Sequence, residues 1–89
     1  MAETVAARIE QRLRAALDPI SLAVRDDSAA HAGHAGAASG GGHYHVRVVS
    51  RCFAGLPRLA RHRLVYDALG DLMVKDIHAL ALTLAAPDE

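Results

Sequence analysis

The stretch Arg61-His62-Arg63-Leu64-Val65-Tyr66-Asp67-Ala68-Leu69-Gly70-Asp71-Leu72-Met73-Val74-Lys75-Asp76-Ile77-His78-Ala79-Leu80 changes its apolar period once, and that change decides the class of fold. Leading into it, Leu59, His62, Val65, Leu69 and Leu72 recur at the three- to four-residue spacing of one helix face, which places His62 on the apolar side. Pro57 suits the first helical turn. Gly70 is expected to divide the helix, leaving a short second piece through Leu72 and Met73. From Ile77 to Leu84 the run is apolar on both faces, as in a strand within the core or at a covered position. Helix giving way to strand points to an α+β chain.

Working outward, the turn Phe53-Ala54-Gly55-Leu56-Pro57 separates this helix from a strand over His43 to Ser50. In that strand Tyr44, Val46 and Val48 share one face, and His45, Arg47 and Val49 share the other. Before it, residues 27–42 are almost entirely Ala, Gly, Ser and His and finish in Gly40-Gly41-Gly42, a composition expected of a flexible loop. Further back, Ile20, Leu22 and Val24 alternate on one face of a first strand, and Arg25-Asp26-Asp27-Ser28 closes it in turn chemistry. Consecutive strands most simply pair as an antiparallel hairpin. Met1 to Leu17 reads as a helix. Val5, Ile9, Leu13 and Leu17 recur every four residues, Ala6 and Ala16 widen the stripe, and Asp18-Pro19 stops it. Residues 85–89 are expected to fray. The order is helix, strand, strand, helix in two pieces, strand. This predicts one domain over residues 1–89, with a three-stranded mixed sheet covered by helices on one face.

Composition narrows the function. A chain of 89 residues has room for one core. Ten basic residues balance ten acidic ones, which argues against strong non-specific attraction to nucleic acid or anionic lipid. Aromatics are only 3%, so stacking platforms for bases are scarce. The one cysteine, Cys52, excludes an internal disulfide and suits a reducing compartment. No segment is long enough to span a membrane and the start carries no apolar leader, so the cytoplasm is the expected location.

Four chemistries are open to these residues. Neutral imidazole binds iron, zinc or copper, and His78 at a strand start can converge with His31 or His34 from the loop. Such a set is short of four ligands, a shortage that a partner's ligands would relieve. The bland alternatives are a packed histidine at position 78 and solvated ones at 31 and 34. Cys52 repeats no nucleophile setting and, beside Phe53, reads as a buried or idle thiol at a strand-end core position. No paired carboxylates, phosphate loop or serine triad appears, so the chain is not expected to be an enzyme. Arg47, Arg51, Arg58, Arg61 and Arg63 follow one another without an acid between them and can form a basic face, or simply solvate exposed surfaces. Gly33-His34-Ala35-Gly36 matches a GxxG loop in letters only, since it falls between two strands. Finally, Arg61 and Arg63 can offer cations to an acidic partner, with His62 a structural histidine.

In order and spacing, several motifs together resemble the BolA family over nearly the whole chain. They are Asp26-Asp27-Ser28 followed by His31; His43-Tyr44-x-Val46; Val49-Ser50; Phe53-x-Gly55; Arg61-His62-Arg63-x-Val65-Tyr66; and Ile77-His78-Ala79-Leu80. The loop spelling His31-Ala-Gly-His34-Ala-Gly is similar to that of proteobacterial members. His43-Tyr44 stands where many members have His-Phe.

The resemblance implies a fold related to the class II KH domain. It also implies pairing with a monothiol glutaredoxin around a shared [2Fe-2S] cluster, in cluster trafficking or iron homeostasis. The glutaredoxin would supply its cysteine and a bound glutathione thiol. This chain would supply His78 and a loop histidine, with His31 favoured over His34. An isolated chain would then hold no cluster tightly. As the alternative, the family also suggests a transcriptional regulator that binds DNA through a basic face, here Arg58, Arg61 and Arg63.

Overall fold

The computed structural model describes residues 4–27 and 42–89. Helix α1 spans Val5–Leu17, and its first turn is closed by Thr4, whose hydroxyl accepts a 3.1 Å hydrogen bond from the Ala7 N–H. Ile9, Leu13 and Leu17 are buried as the four-residue spacing predicts, whereas Ala16 is exposed and does not widen the stripe. Asp18 ends the helix in the left-handed region (φ 45°), its N–H bonding back to the Arg14 carbonyl. Pro19 then forbids continuation.

Strand β1 covers Ser21–Asp26 and pairs antiparallel with β2, Gly42–Val49. Two expectations fail here. Ile20 is 54% exposed and precedes the strand, and Arg25 and Asp26 extend the strand rather than turn it. The extension has a physical cause. In extended backbone, residues two apart share a face, and Arg25 there holds the Asp27 carboxylate (Nε to Oδ1 2.7 Å). Arg25 also reaches His45 Nδ1 on β2 at 3.3 Å, while His45 Nε2 lies 3.0 Å from Thr83 Oγ1 on β3. A guanidinium only donates, so Nδ1 accepts and Nε2 donates to Thr83. His45 thus straps all three strands across their open face.

After β2, Ser50 is buried and satisfied. Its hydroxyl donates to the Leu17 carbonyl (2.6 Å) and accepts from the Cys52 N–H (3.2 Å). A 3₁₀ turn over Arg51–Phe53 follows, inserting Phe53 into the core and leaving Cys52 exposed rather than packed at a strand end. Helix α2 is Arg58–Leu69, and α3 is the single turn Leu72–Lys75. Gly70, at φ 51°, divides them as expected. The buried side of α2 is Val65 and Leu69, with Leu64 and Ala68 packed beside them. Leu59, placed on the apolar face by the spacing, is 66% exposed.

Strand β3, Ile77–Ala85, runs parallel to β2, giving the sheet order β1-β2-β3. It is an edge strand and not a covered one. Its second face, Ala79, Ala81 and Thr83, is exposed, and small side chains tolerate that. The helices lie over the face carrying Tyr44, Val46 and Val48, so the mixed sheet covered on one side stands as expected. Near the last residue Ala86 is buried, and Glu89 bonds back to α2 through Arg61.

Candidate functional site

His78 is the second residue of β3, exposed, at the end of the sheet where both β2 and β3 begin. Its presentation comes from an irregularity in the ladder. Gly42 pairs with Ile77 but His43 pairs with Ala79, so β3 carries one extra residue at His78. Such a bulge bends a strand and re-aims side chains, and His78 and Ala79 are consecutively exposed. The ring of His43 lies beside His78, with centroids 5.1 Å apart and planes inclined at 49°.

His43 was missed as a site residue in the sequence. Its letter pattern assigns it to a strand face, and only a parallel neighbour brings it to His78. Parallel pairing joins residues with no hairpin between them.

Backbone bonds pin this end of the sheet. The Asp27 N–H donates to the His43 carbonyl at 2.7 Å, and the Gly42 N–H donates to the Asp76 carbonyl at 3.2 Å. Gly42 is required there, since a Cβ at that position would come within 2.7 Å of the Tyr44 ring at Cζ. His31, His34 and the Gly33–Gly36 spelling lie outside the described residues. The connection that carries them leaves at Asp27 and returns at Gly42, beside the histidine pair. Among the described residues, no group of three or more His, Cys, Asp or Glu gathers as a complete metal shell.

The arginines divide into two sets. Arg58 and Arg63 are exposed on α2. Arg61, expected on the same basic face, is turned inward, its side chain only 13% exposed. Its Nε donates to the Leu56 carbonyl at 2.9 Å, both terminal nitrogens bond the Glu89 carboxylate, and it sits 6.0 Å over the Phe53 ring. Held this way, Arg61 keeps the Glu89 carboxyl at about 2, far below the ordinary 4.5. His62 is half-buried, edge-on to Tyr66 at 6.2 Å, and so lies at the rim rather than in the core.

Residues 13–89 match the sequence model of the family described as BolA-like protein. The chain belongs to the BolA-like family. It is 40% identical over 87 residues to SufE-like protein 1, chloroplastic/mitochondrial, of Arabidopsis thaliana, covering 92% of this chain but 24% of that longer protein. It is 44% identical over 75 residues to the DNA-binding transcriptional regulator BolA of Escherichia coli (strain K12), covering 84% of this chain and 69% of the relative. The BolA domain of SufE1 from Arabidopsis thaliana superposes with a TM-score of 0.83 at 37% identity, over 99% of this chain and 98% of the other. The α+β fold read from the sequence is thus the BolA fold. Among the described residues, no helix of this BolA-like chain is long and apolar enough to cross a membrane.

Proposed function

We propose that this BolA-like chain is a non-catalytic partner of a monothiol glutaredoxin, sharing a [2Fe-2S] cluster in iron–sulfur trafficking or iron homeostasis. The carrying observation is His78, exposed on a bulge beside a second imidazole at the end of the sheet where the histidine-bearing connection begins and ends. The donor chemistry fits: neutral imidazole is a good iron ligand, and mixed histidine and thiolate ligation is an accepted cluster environment. His78 is the fixed ligand. The second comes from His31, His34 or His43.

Reach does not choose among them. His31 is four residues from Asp27, and extended chain spans about 3.3–3.6 Å per residue, so both loop histidines can arrive. When bound, the cluster supplies electron storage and a transferable iron–sulfur unit. The chain supplies ligands and orientation, and the exposure of His78 leaves the remaining positions open to partner thiols.

Visible circular dichroism of a cluster-loaded glutaredoxin, titrated anaerobically with this chain, tests the proposal. The expected result is a new spectrum saturating near one-to-one. It should be lost in His78→Ala and in only one of His31→Ala, His34→Ala and His43→Ala. A spectrum unchanged by the wild-type chain sinks it.

The name of the Escherichia coli relative favours direct DNA binding as a second reading. Exposed Arg58 and Arg63 are its candidates here. Neutralising each should lower the slope of log affinity against log salt for duplex DNA by about 0.9.

A further inference from the structure

We propose that the groove between the first turns of α2 and the outer rim of β3 docks an extended acidic segment of a partner protein, whose carboxylate Glu89 imitates. The groove encloses about 510 Å³. Arg58, Arg61 and His62 form one wall, Leu82, Thr83 and Leu84 the other, and the Leu56 side chain adds apolar surface.

Three features select the occupant. Among the described strands β3 pairs only with β2, so its outer rim offers backbone groups to a further strand. Extended peptides dock on such rims through main-chain hydrogen bonds, and adjoining pockets read their side chains. The facing wall is cationic, with no acid among the groove's lining residues. Its Arg61 already grips a carboxylate with both terminal nitrogens, that of Glu89, whose Oε1 also accepts from the Ala86 N–H. A planar guanidinium binding a carboxylate two-pronged is a specific receptor and not a diffuse charge. Leu82 and Leu84 lie on the helix-covered face and Thr83 on the open one, so an added strand that alternates would turn its acidic residues to the arginine side and its apolar residues to the side of Thr83. No Phe, Tyr or Trp lines the groove, which leaves His62 and the arginine planes as its stacking surfaces for a base.

The groove is also separate from His78. Leu82 to Leu84 stand four to six positions beyond His78 along β3, roughly 13–20 Å at ~3.3 Å per residue. Both can be occupied at once.

The experiment is a titration of the ¹⁵N-labelled chain with a capped hexapeptide alternating valine and glutamate, and with its valine–glutamine counterpart. The glutamate peptide is expected to shift amides of residues 58–62 and 82–84, and the glutamine peptide much less. Glu89→Gln removes the internal competitor and should tighten the glutamate peptide by about threefold or more. Arg58→Gln, which disturbs no contact of Arg61, should weaken it. Shifts that are absent or elsewhere at millimolar peptide overturn the proposal. So does an unchanged affinity in Glu89→Gln. A single-stranded oligonucleotide that shifts the same amides more strongly than the peptide overturns it in favour of nucleic acid.

Discussion

Gly42 shows how much one missing side chain decides. It opens β2 under the Tyr44 ring, next to the strand pair that presents His43 and His78. Gly42→Ala must displace that ring or the backbone. Overpacking of this kind costs about 1–3 kcal/mol, which a lower urea midpoint at unchanged slope would report. The tyrosine itself was legible as a core residue from its alternation with Val46 and Val48. The need for glycine was not, because a glycine triplet reads as loop composition until a ring is placed above it. Residue-level legibility follows the same division elsewhere. His78 could be read from its motif, whereas Arg61 could not, because its decisive partner Glu89 is 28 residues away. A run of arginines looks like an open basic face whether or not one of them is turned inward.

Among elements, α2 ends where two independent devices agree. Gly70 supplies the positive φ, and Arg12 of α1 donates to the Leu69 carbonyl at 2.6 Å and to Asp71 at 2.7 Å. Arg12 thus satisfies an orphan carbonyl of the helix end and holds the Asp71 carboxyl below its usual range. Arg12→Met keeps the stem and removes the donor. It should destabilise by about 1 kcal/mol, measured by thermal or urea unfolding, with α2 amide exchange rising first near Leu69. Glycine announced this boundary in the sequence, but the arginine did not, since α1 and α2 meet only after folding. The third strand shows the opposite kind of error. Apolar letters on both faces suggested coverage, yet those of the outer face, Ala79 and Ala81, are alanines. Alanine lies open on an edge strand with little unfavourable exposure of large apolar surface.

At the scale of the whole molecule, the Arg61–Glu89 pair ties residue 89 to α2 and shapes the end of the chain. Folding holds the Glu89 carboxyl at about 2 against an ordinary 4.5, first through the Arg61 hydrogen bonds and then through the Ala86 N–H. The ionised carboxylate is therefore the form that folding favours. Its stabilisation is complete above about 4.5 and disappears as pH falls toward about 2. Urea midpoints of wild type and Glu89→Gln should differ at pH 6 and converge as the pH drops through that window. A constant difference across it would remove Glu89 as the cause. Element order was readable from period changes, and the hairpin from the adjacency of its two strands. The closing contact was not, because a short polar tail carries no period at all.

The bulge at His78 also proofreads the sheet. Ile77 is buried toward the helices, and so, in part, are Leu80, Leu82 and Leu84. The step from Ile77 to Leu80 is odd, while every later step is even. A perfectly regular strand cannot send Ile77 and the leucines to one side, whichever way it is turned. Pairing β3 with β2 without the bulge would therefore expose either Ile77 or all three leucines. The odd count between two core anchors makes the alignment of β2 and β3 self-checking. The bulge that settles this parity is also the one that sets His78 beside His43.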